Sequence, residues 1–291
     1  MKPIELARDP VWRIYEGLAA EAEEKVRAYH RPARRFRASE ISNCRRQIWY
    51  RLSGYVPFPK KPWLEMVGNS GDMHHDYYRH LANHYETGLS GITFGEDGQQ
   101  DEAANVATEF EYDGSAFTLS CRLDGEQTLP DMPENAVLEV KTMTTYQFEA
   151  AQKAWAKDGT AGAIAWFQAN KPSYLWQGNA AAMTVGKKSV YLLCIDRNLN
   201  RIGFSDRPLG GKPHTWDPLD GARAGGAVWE VEENDRLNIL QKAADITKAI
   251  ESGKPPTAEY VSSSTECGQC DFWIYCHGRK VGAKYPIAGV L

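Results

Sequence analysis

Asp124, Glu139 and Lys141 are the residues whose types and spacing best suit chemistry. Asp124 closes one strand pattern, "TLSCRLDGE", and Glu139 and Lys141 lie on the next, "AVLEVKT". Residues two apart on a strand share a face, so Glu139 and Lys141 point together while Val140 points into the core. If the two strands are neighbours, Asp124 converges on the same spot. Two carboxylates beside a lysine suit phosphodiester hydrolysis. Hard cations such as Mg²⁺ or Mn²⁺ take carboxylate, carbonyl and water oxygens. Such a cation polarises a phosphate and lowers the pKa of a bound water, and a lysine orients that water or offsets transition-state charge. The competing reading is a Glu–Lys salt bridge on a solvated face; the otherwise apolar strand and the Asp beside it favour a site.

Two further segments offer ligands or orienting groups. In "SGDMHHDYYRH", His75, four residues after Gly71, and its neighbour His74 are candidate imidazole ligands to a divalent metal. The two point about 100° apart on the predicted helix, so only one reaches a common metal. In "PSYLWQGNAAAM", Gln177 sits among apolar neighbours on a predicted helix. A buried Gln needs hydrogen-bond partners, which in a hydrolytic site are a water, a catalytic side chain or the substrate.

A second constellation is "ECGQCDFWIYC", with Cys267, Cys270 and Cys276 spaced C-x2-C-x5-C in a chain of six cysteines. Three close thiols imply a metal, and a tetrahedral zinc site or an iron–sulfur cluster normally takes four. Cys121 and Cys194 lie inside apolar strand patterns and read as buried structural residues. Cys44, in "ISNCRRQIWYRLSG", stands at a polar helix start and is the best fourth ligand. It also lies in the basic part of the chain: eight arginines, no lysine and the single acid Glu40 fall between Arg27 and Arg51. Arg45, Arg46 and Arg51 are therefore candidate phosphate contacts, with Trp49 or Tyr50 as base-stacking groups if they are not packed inside.

The elements that must position these residues follow from periodicity and punctuation. Residues 10–29 form a predicted amphipathic helix. "ASEISNCRRQIWYRLSG" forms a second, capped at Ser39 or Ser42 and stopped by Gly54. "VPFPKKP" is a linker, 63–86 a long helix and 88–102 a loop. A hairpin turns at Asp113-Gly114. "AVLEVKT" and "KSVYLLCID" are strands, "RIGFSD" pairs with the latter, and "MTTYQFEAAQKAWA", "KPSYLWQGNAAAMTV" and "VEENDRLNILQKAADITKAIESG" are helices. Residues 210–226 are a surface loop. The expected fold is α/β, a mixed central sheet flanked by helices with a helical N-terminal elaboration. The expected regions are 1–60, helical and contributing one cysteine; 61–255, the core; and 256–291, the cysteine segment.

Hydrophobic residues make up 42% of the chain and charged residues 25%, with a net charge of −4. This is ordinary for a soluble globular protein. No apolar run reaches the ~18–20 residues that span a bilayer, and the charged N-terminal stretch has no secretory core. The expectation is a cytoplasmic protein without membrane association, where clustered cysteines bind metal more often than they form disulfides.

Taken in order, "SNCRRQIWYRLSG", "GDMHHD", Asp124, "EVK", Gln177 and C-x2-C-x5-C resemble the CRISPR-associated and phage RecB-like exonucleases of the PD-(D/E)XK superfamily, over residues 40–280. The resemblance implies a restriction-endonuclease-like core and a metal-dependent DNA exonuclease acting on ends or single strands. It implies a [4Fe-4S] cluster on Cys44, Cys267, Cys270 and Cys276 that staples the chain ends together. It further implies Mg²⁺ or Mn²⁺ on His75, Asp124, Glu139 and the Val140 carbonyl, with Lys141 as the catalytic lysine and Gln177 beside it. Phage or bacterial recombination, repair and CRISPR adaptation are all open as pathways, each with its own protein partners, as is a homo-oligomer. The chain departs from the pattern at Ala181, where the family often has Tyr, and at Leu123, where the superfamily commonly has Pro. Two other readings use the same cysteines: a non-catalytic DNA-binding module with a four-cysteine zinc site, and a thiol redox protein using Cys267 and Cys270.

Overall fold

At Asp113 and Gly114 both φ angles are positive, 49° and 71°. This is the backbone that a two-residue hairpin requires and that Asp-Gly supplies. The turn joins β3 (Asn105–Tyr112) to β4 (Ser115–Arg122). β1 (Arg35–Arg37) adds in parallel to the other edge of β4, giving a three-stranded sheet in the order β1-β4-β3. β1 is unexpected in so basic a stretch. Its burial alternates, and Phe36 packs edge-on against Phe117 at 5.7 Å. The computed structural model describes residues 16–21, 23–24, 34–55, 57, 73, 89–91, 105–128, 134–198, 201–205, 224–260, 264–268 and 270–277.

A second, mixed sheet follows the order β11-β7-β6-β5-β2, with β8 also on β7. Its strands are β2 (Leu89–Gly91), β5 (Gly125–Gln127), β6 (Ala136–Met143), β7 (Ser189–Asp196), β8 (Arg201–Ile202) and β11 (Ala227–Glu230). β6 and β7 are parallel and the other pairs antiparallel. β9 (Phe204–Ser205) and β10 (Ala224–Gly225) form a small separate ribbon. The parallel pair requires a crossover, supplied by α2 (Thr145–Asn170) and α3 (Pro172–Val185). α2 continues well past the expected end of its pattern and bends at Asp158-Gly159, where Gly159 has φ 62°. α3 opens on Pro172, which suits a first turn, and closes on left-handed Gly186. It lies against strands of both sheets. Gly178 permits this approach: a Cβ there would meet Val190 at 2.9 Å and Trp229 at 3.0 Å. The expected α/β fold, with mixed sheets flanked by helices, is therefore observed. No helix among the described residues is long and apolar enough to cross a membrane.

Several boundaries differ from expectation. The second helix does not begin at Ser39 or Ser42. A short 3₁₀ turn covers Ala38–Glu40, and α1 starts only at Arg45 and runs to Leu52, with Cys44 as its N-cap residue. The cause is packing: Phe36, Ala38 and Ile41 are all buried, and the turn delivers the last two to the core. Part of the 88–102 loop is the strand β2, drawn into the sheet by pairing with β5. Of the 10–29 helix, residues 16–21, 23 and 24 are helical; in 63–86 only helical Met73 is described.

The chain divides into two units. One holds Arg34–Ser42 and Val67–Ala244, and so both sheets, α2 and α3. The other gathers Met1–Ala33, Asn43–Met66 and Asp245–Leu291. It contains α1, α5 (Thr265–Gly268) and α6 (Trp273–His277). α4 (Glu233–Glu251) contributes its last residues to this unit and the rest to the first.

Candidate functional site

In the sheet unit, the strand pattern expected to end at Asp124 breaks earlier. β4 stops at Arg122 in one sheet, and β5 starts at Gly125 in the other. Asp124 lies on the crossing. β5 pairs with β6 through Gly125↔Leu138, so the next antiparallel step sets Asp124 opposite Glu139. The Val140 N–H donates to Asp124 Oδ2 at 2.8 Å. Val140 itself points inward, packed with Leu138, Leu193 and Ile195. Glu139 and Lys141 share the opposite face, and the Lys141 ammonium pairs with Glu139 Oε1. Gln177, from α3, donates to the same oxygen at 2.6 Å. Asp124, Glu139, Lys141 and Gln177 are thus brought together as the pattern predicted. His75 lies outside the described residues.

Asp124 is 6% exposed and Glu139 3%. Buried carboxylates must be paired, hydrogen-bonded or metal-bound. Burial acts to lower the Lys141 pKa, but the Glu139 and Asp124 carboxylates more than offset this and hold it above the ordinary lysine value. The lysine is thus kept as an ammonium against two acids. The strand end is anchored nearby. Asp196, fully buried at the end of β7, accepts from Thr145 Oγ1 and from the Asn198 N–H, both at 3.0 Å. This ties the start of α2 to the sheet just beyond Met143.

Sequence reasoning missed Tyr174. Its ring lies 5.6 Å from the Lys141 ammonium. It precedes Gln177 by three positions on α3, so both belong to one helix face. Burial raises the Tyr174 pKa, with Lys141 and Arg197 drawing it back down. The signal was present in "YLWQ", where an aromatic stands one turn before the glutamine, but only the strand placement of Lys141 gives it a purpose.

The second unit holds the four cysteines of the predicted ligand set. Cys44 precedes α1. Cys267 lies in α5, its N–H donating to Ser264 Oγ at 3.1 Å. Cys270 lies on the following turn, where its sulfur accepts from the Phe272 N–H at 3.5 Å. Cys276 lies in α6. Burial raises the Cys270 pKa to about 11; the Phe272 N–H opposes this, while Asp271, Cys44 and Cys267 add to it. All six cysteines are free thiols. Among the described residues, no three His, Cys, Asp or Glu side chains are placed to hold a metal ion. The chemistry of the donor set nonetheless suits a thiolate-ligated group: four thiols fall in one unit, and N–H groups address two of the sulfurs. The Asp124–Glu139 pair likewise fits a hard divalent cation by its buried oxygens.

Each arginine expected to contact phosphate has partners within this unit. The Arg45 side chain meets Asp245 and Glu259 at 3.6 Å, and its N–H donates to Glu259 at 2.9 Å. Arg46 donates to the Pro256 carbonyl at 2.8 Å and to Cys276 Sγ at 3.4 Å. Arg51 pairs with Asp271 at 3.2 Å and lies over the Phe272 ring. Trp49 and Tyr50 are buried, Tyr50 stacking on Phe272.

No family model and no curated protein matches the chain. Its class is set by its fold, mixed α/β. Solved structures with a similar chain path include the crystal structure of SSO0001, at 14% identity and a TM-score of 0.49, covering 91% of this chain and 96% of that one. Another is LHK-Exo in complex with dAMP, at 11% identity and a TM-score of 0.40, covering 75% and 88%.

Proposed function

We propose that the chain hydrolyses phosphodiester bonds in DNA with the help of Mg²⁺ or Mn²⁺, acting as an exonuclease on ends or single strands. The observation that carries this is the convergence of Asp124, Glu139, Lys141 and Gln177. The cation would be held by Asp124 and Glu139, with His75 and the Val140 carbonyl completing the set by resemblance. When bound, it supplies phosphate polarisation and an acidified water. Gln177 fixes the Glu139 carboxylate through its Nε2–H. Lys141 supplies a positive charge beside that carboxylate, where it orients the attacking water or offsets charge on the phosphoryl oxygens. Tyr174 restrains the ammonium from one side. In the same reading, Cys44, Cys267, Cys270 and Cys276 hold a [4Fe-4S] cluster. DNA ends and a place in recombination, repair or CRISPR adaptation follow from the resemblance, and a cytoplasmic location from the charged N-terminal stretch.

The test uses end-labelled and end-blocked DNA with Mn²⁺. Wild-type protein degrades unblocked DNA, and Glu139→Ala and Lys141→Ala abolish this while leaving circular dichroism unchanged. Wild-type activity in both variants overturns the reading. Iron and labile sulfide per chain, measured after anaerobic purification, separate the cluster from a zinc site.

A further inference from the structure

The three arginines of α1 do not share one job. Arg45 is matched by Asp245 and Glu259, and Arg51 by Asp271. Arg46 meets no carboxylate among the described residues. Its Nε donates to the Pro256 carbonyl and its Nη1 to Cys276 Sγ. A guanidinium has a rigid fork, so one contact fixes the direction of the other. Here the carbonyl bond aims the second N–H at sulfur.

We infer that Arg46 is a positioning residue for the four-cysteine site: it serves as the resident counter-charge to the ligated Cys276 sulfur rather than as a contact to nucleic acid. This rests on the proposed reading of these cysteines as cluster ligands. Four thiolates around an iron–sulfur core leave a net negative group. Hydrogen bonds to the sulfurs and nearby positive charge favour the more negative, reduced state and so raise the reduction potential. Charge-assisted bonds are about twice as strong as neutral ones. Arg46 supplies both the donor and the charge at one sulfur, within the same unit as the ligand.

The test compares wild type with Arg46→Met, Arg46→Gln and Arg46→Lys, each purified anaerobically. Iron and sulfide content is measured first, then the cluster midpoint by dye-mediated titration with electron paramagnetic resonance. Arg46→Met shifts the reduction equilibrium toward the oxidised cluster by roughly tenfold, about 59 mV for one electron. Arg46→Lys, which keeps the charge but not the rigid fork, and Arg46→Gln, which keeps a donor but not the charge, fall between it and wild type. If Arg46→Met fails to fold, the Lys and Gln shifts alone decide. Wild-type protein without iron and sulfide overturns the cluster reading and this inference with it. Iron-loaded variants with an unchanged midpoint overturn the inference and leave the cluster reading standing.

Discussion

Lys141→Met separates the electrostatic work of this lysine from its chemical work. The side chain is 15% exposed and pairs with the Glu139 side chain, itself 5% exposed. Asp124 stands on the neighbouring register position and also acts on the ammonium. Methionine keeps much of the volume and removes the charge from beside two buried carboxylates. Breaking a buried pair by deleting one partner costs roughly 3–5 kcal/mol, because the other charge stays behind. Glu139 keeps its bond from Gln177 and Asp124 keeps its bond from Val140, so the low end applies, about 3 kcal/mol. At about 2–4 °C per kcal/mol for chains somewhat smaller than this one, melting falls by roughly 6–12 °C in EDTA.

A divalent cation then replaces the missing charge. Adding Mn²⁺ raises the melting temperature of Lys141→Met more than that of wild type, since the variant's carboxylates have no ammonium to satisfy. Nuclease activity stays lost, because a stability rescue does not restore a group that acts on the phosphate or the water. Differential scanning fluorimetry with and without Mn²⁺ reads the first effect, and end-labelled DNA reads the second. The reasoning is refuted if Lys141→Met melts within a degree of wild type in EDTA, or if Mn²⁺ leaves its melting temperature where it was.

Two further outcomes follow from the same geometry. Tyr174→Phe keeps the ring over Lys141 and retains kcat within about twofold, whereas Tyr174→Leu removes a cation–π contact of about 1–2 kcal/mol and lowers kcat roughly tenfold with little change in KM; equal kcat in both variants removes Tyr174 from the site. Burial pushes the Cys121 thiol up from 9.0 to about 12 and raises Cys194 as well, so at pH 8 the Cys121 thiolate is roughly a thousandfold scarcer than in the unfolded chain. Mass spectrometry after iodoacetamide shows neither residue alkylated until denaturant is added, and labelling of either in the native protein contradicts the burial.

The site was legible where local pattern and geometry coincide. Asp113-Gly114 dictates its hairpin, and the period of two in "AVLEVKT" puts Glu139 and Lys141 on one face whatever the rest of the chain does. The route by which Asp124 arrives was not legible. The apolar pattern runs unbroken through Leu123, and only pairing with β6 shows that the chain changes sheets there. β1, β5 and β11 are three or four residues long, too short to show a period. The partners of the α1 arginines were not legible for a different reason. Eight arginines in one stretch read as a surface for phosphate, yet the partners of those on α1 lie 200 or more positions away, beyond any local pattern.

Those distant partners also bear on what a cluster does for the fold. Closing a loop of about 220 residues costs roughly (3/2)RT ln n, near 5 kcal/mol. α1 meets the C-terminal segment through the Arg45–Glu259 and Arg46–Pro256 bonds, the Tyr50 hydroxyl on the Tyr275 carbonyl at 2.9 Å, the Arg51–Asp271 pair and the Tyr50–Phe272 stack. At about 1 kcal/mol per hydrogen bond or partly buried pair and another for the stacked rings, these contacts together offset the closure. A staple of four thiolates is therefore not needed to bring the helix home. These contacts fix α1, with Cys44 as its N-cap residue, in one unit with Cys267, Cys270 and Cys276, so on the proposed reading the free energy of binding a cluster would not be consumed in ordering the chain. On that reading the demand would fall on the sulfur environment, where Arg46 addresses Cys276 and the Phe272 N–H addresses Cys270.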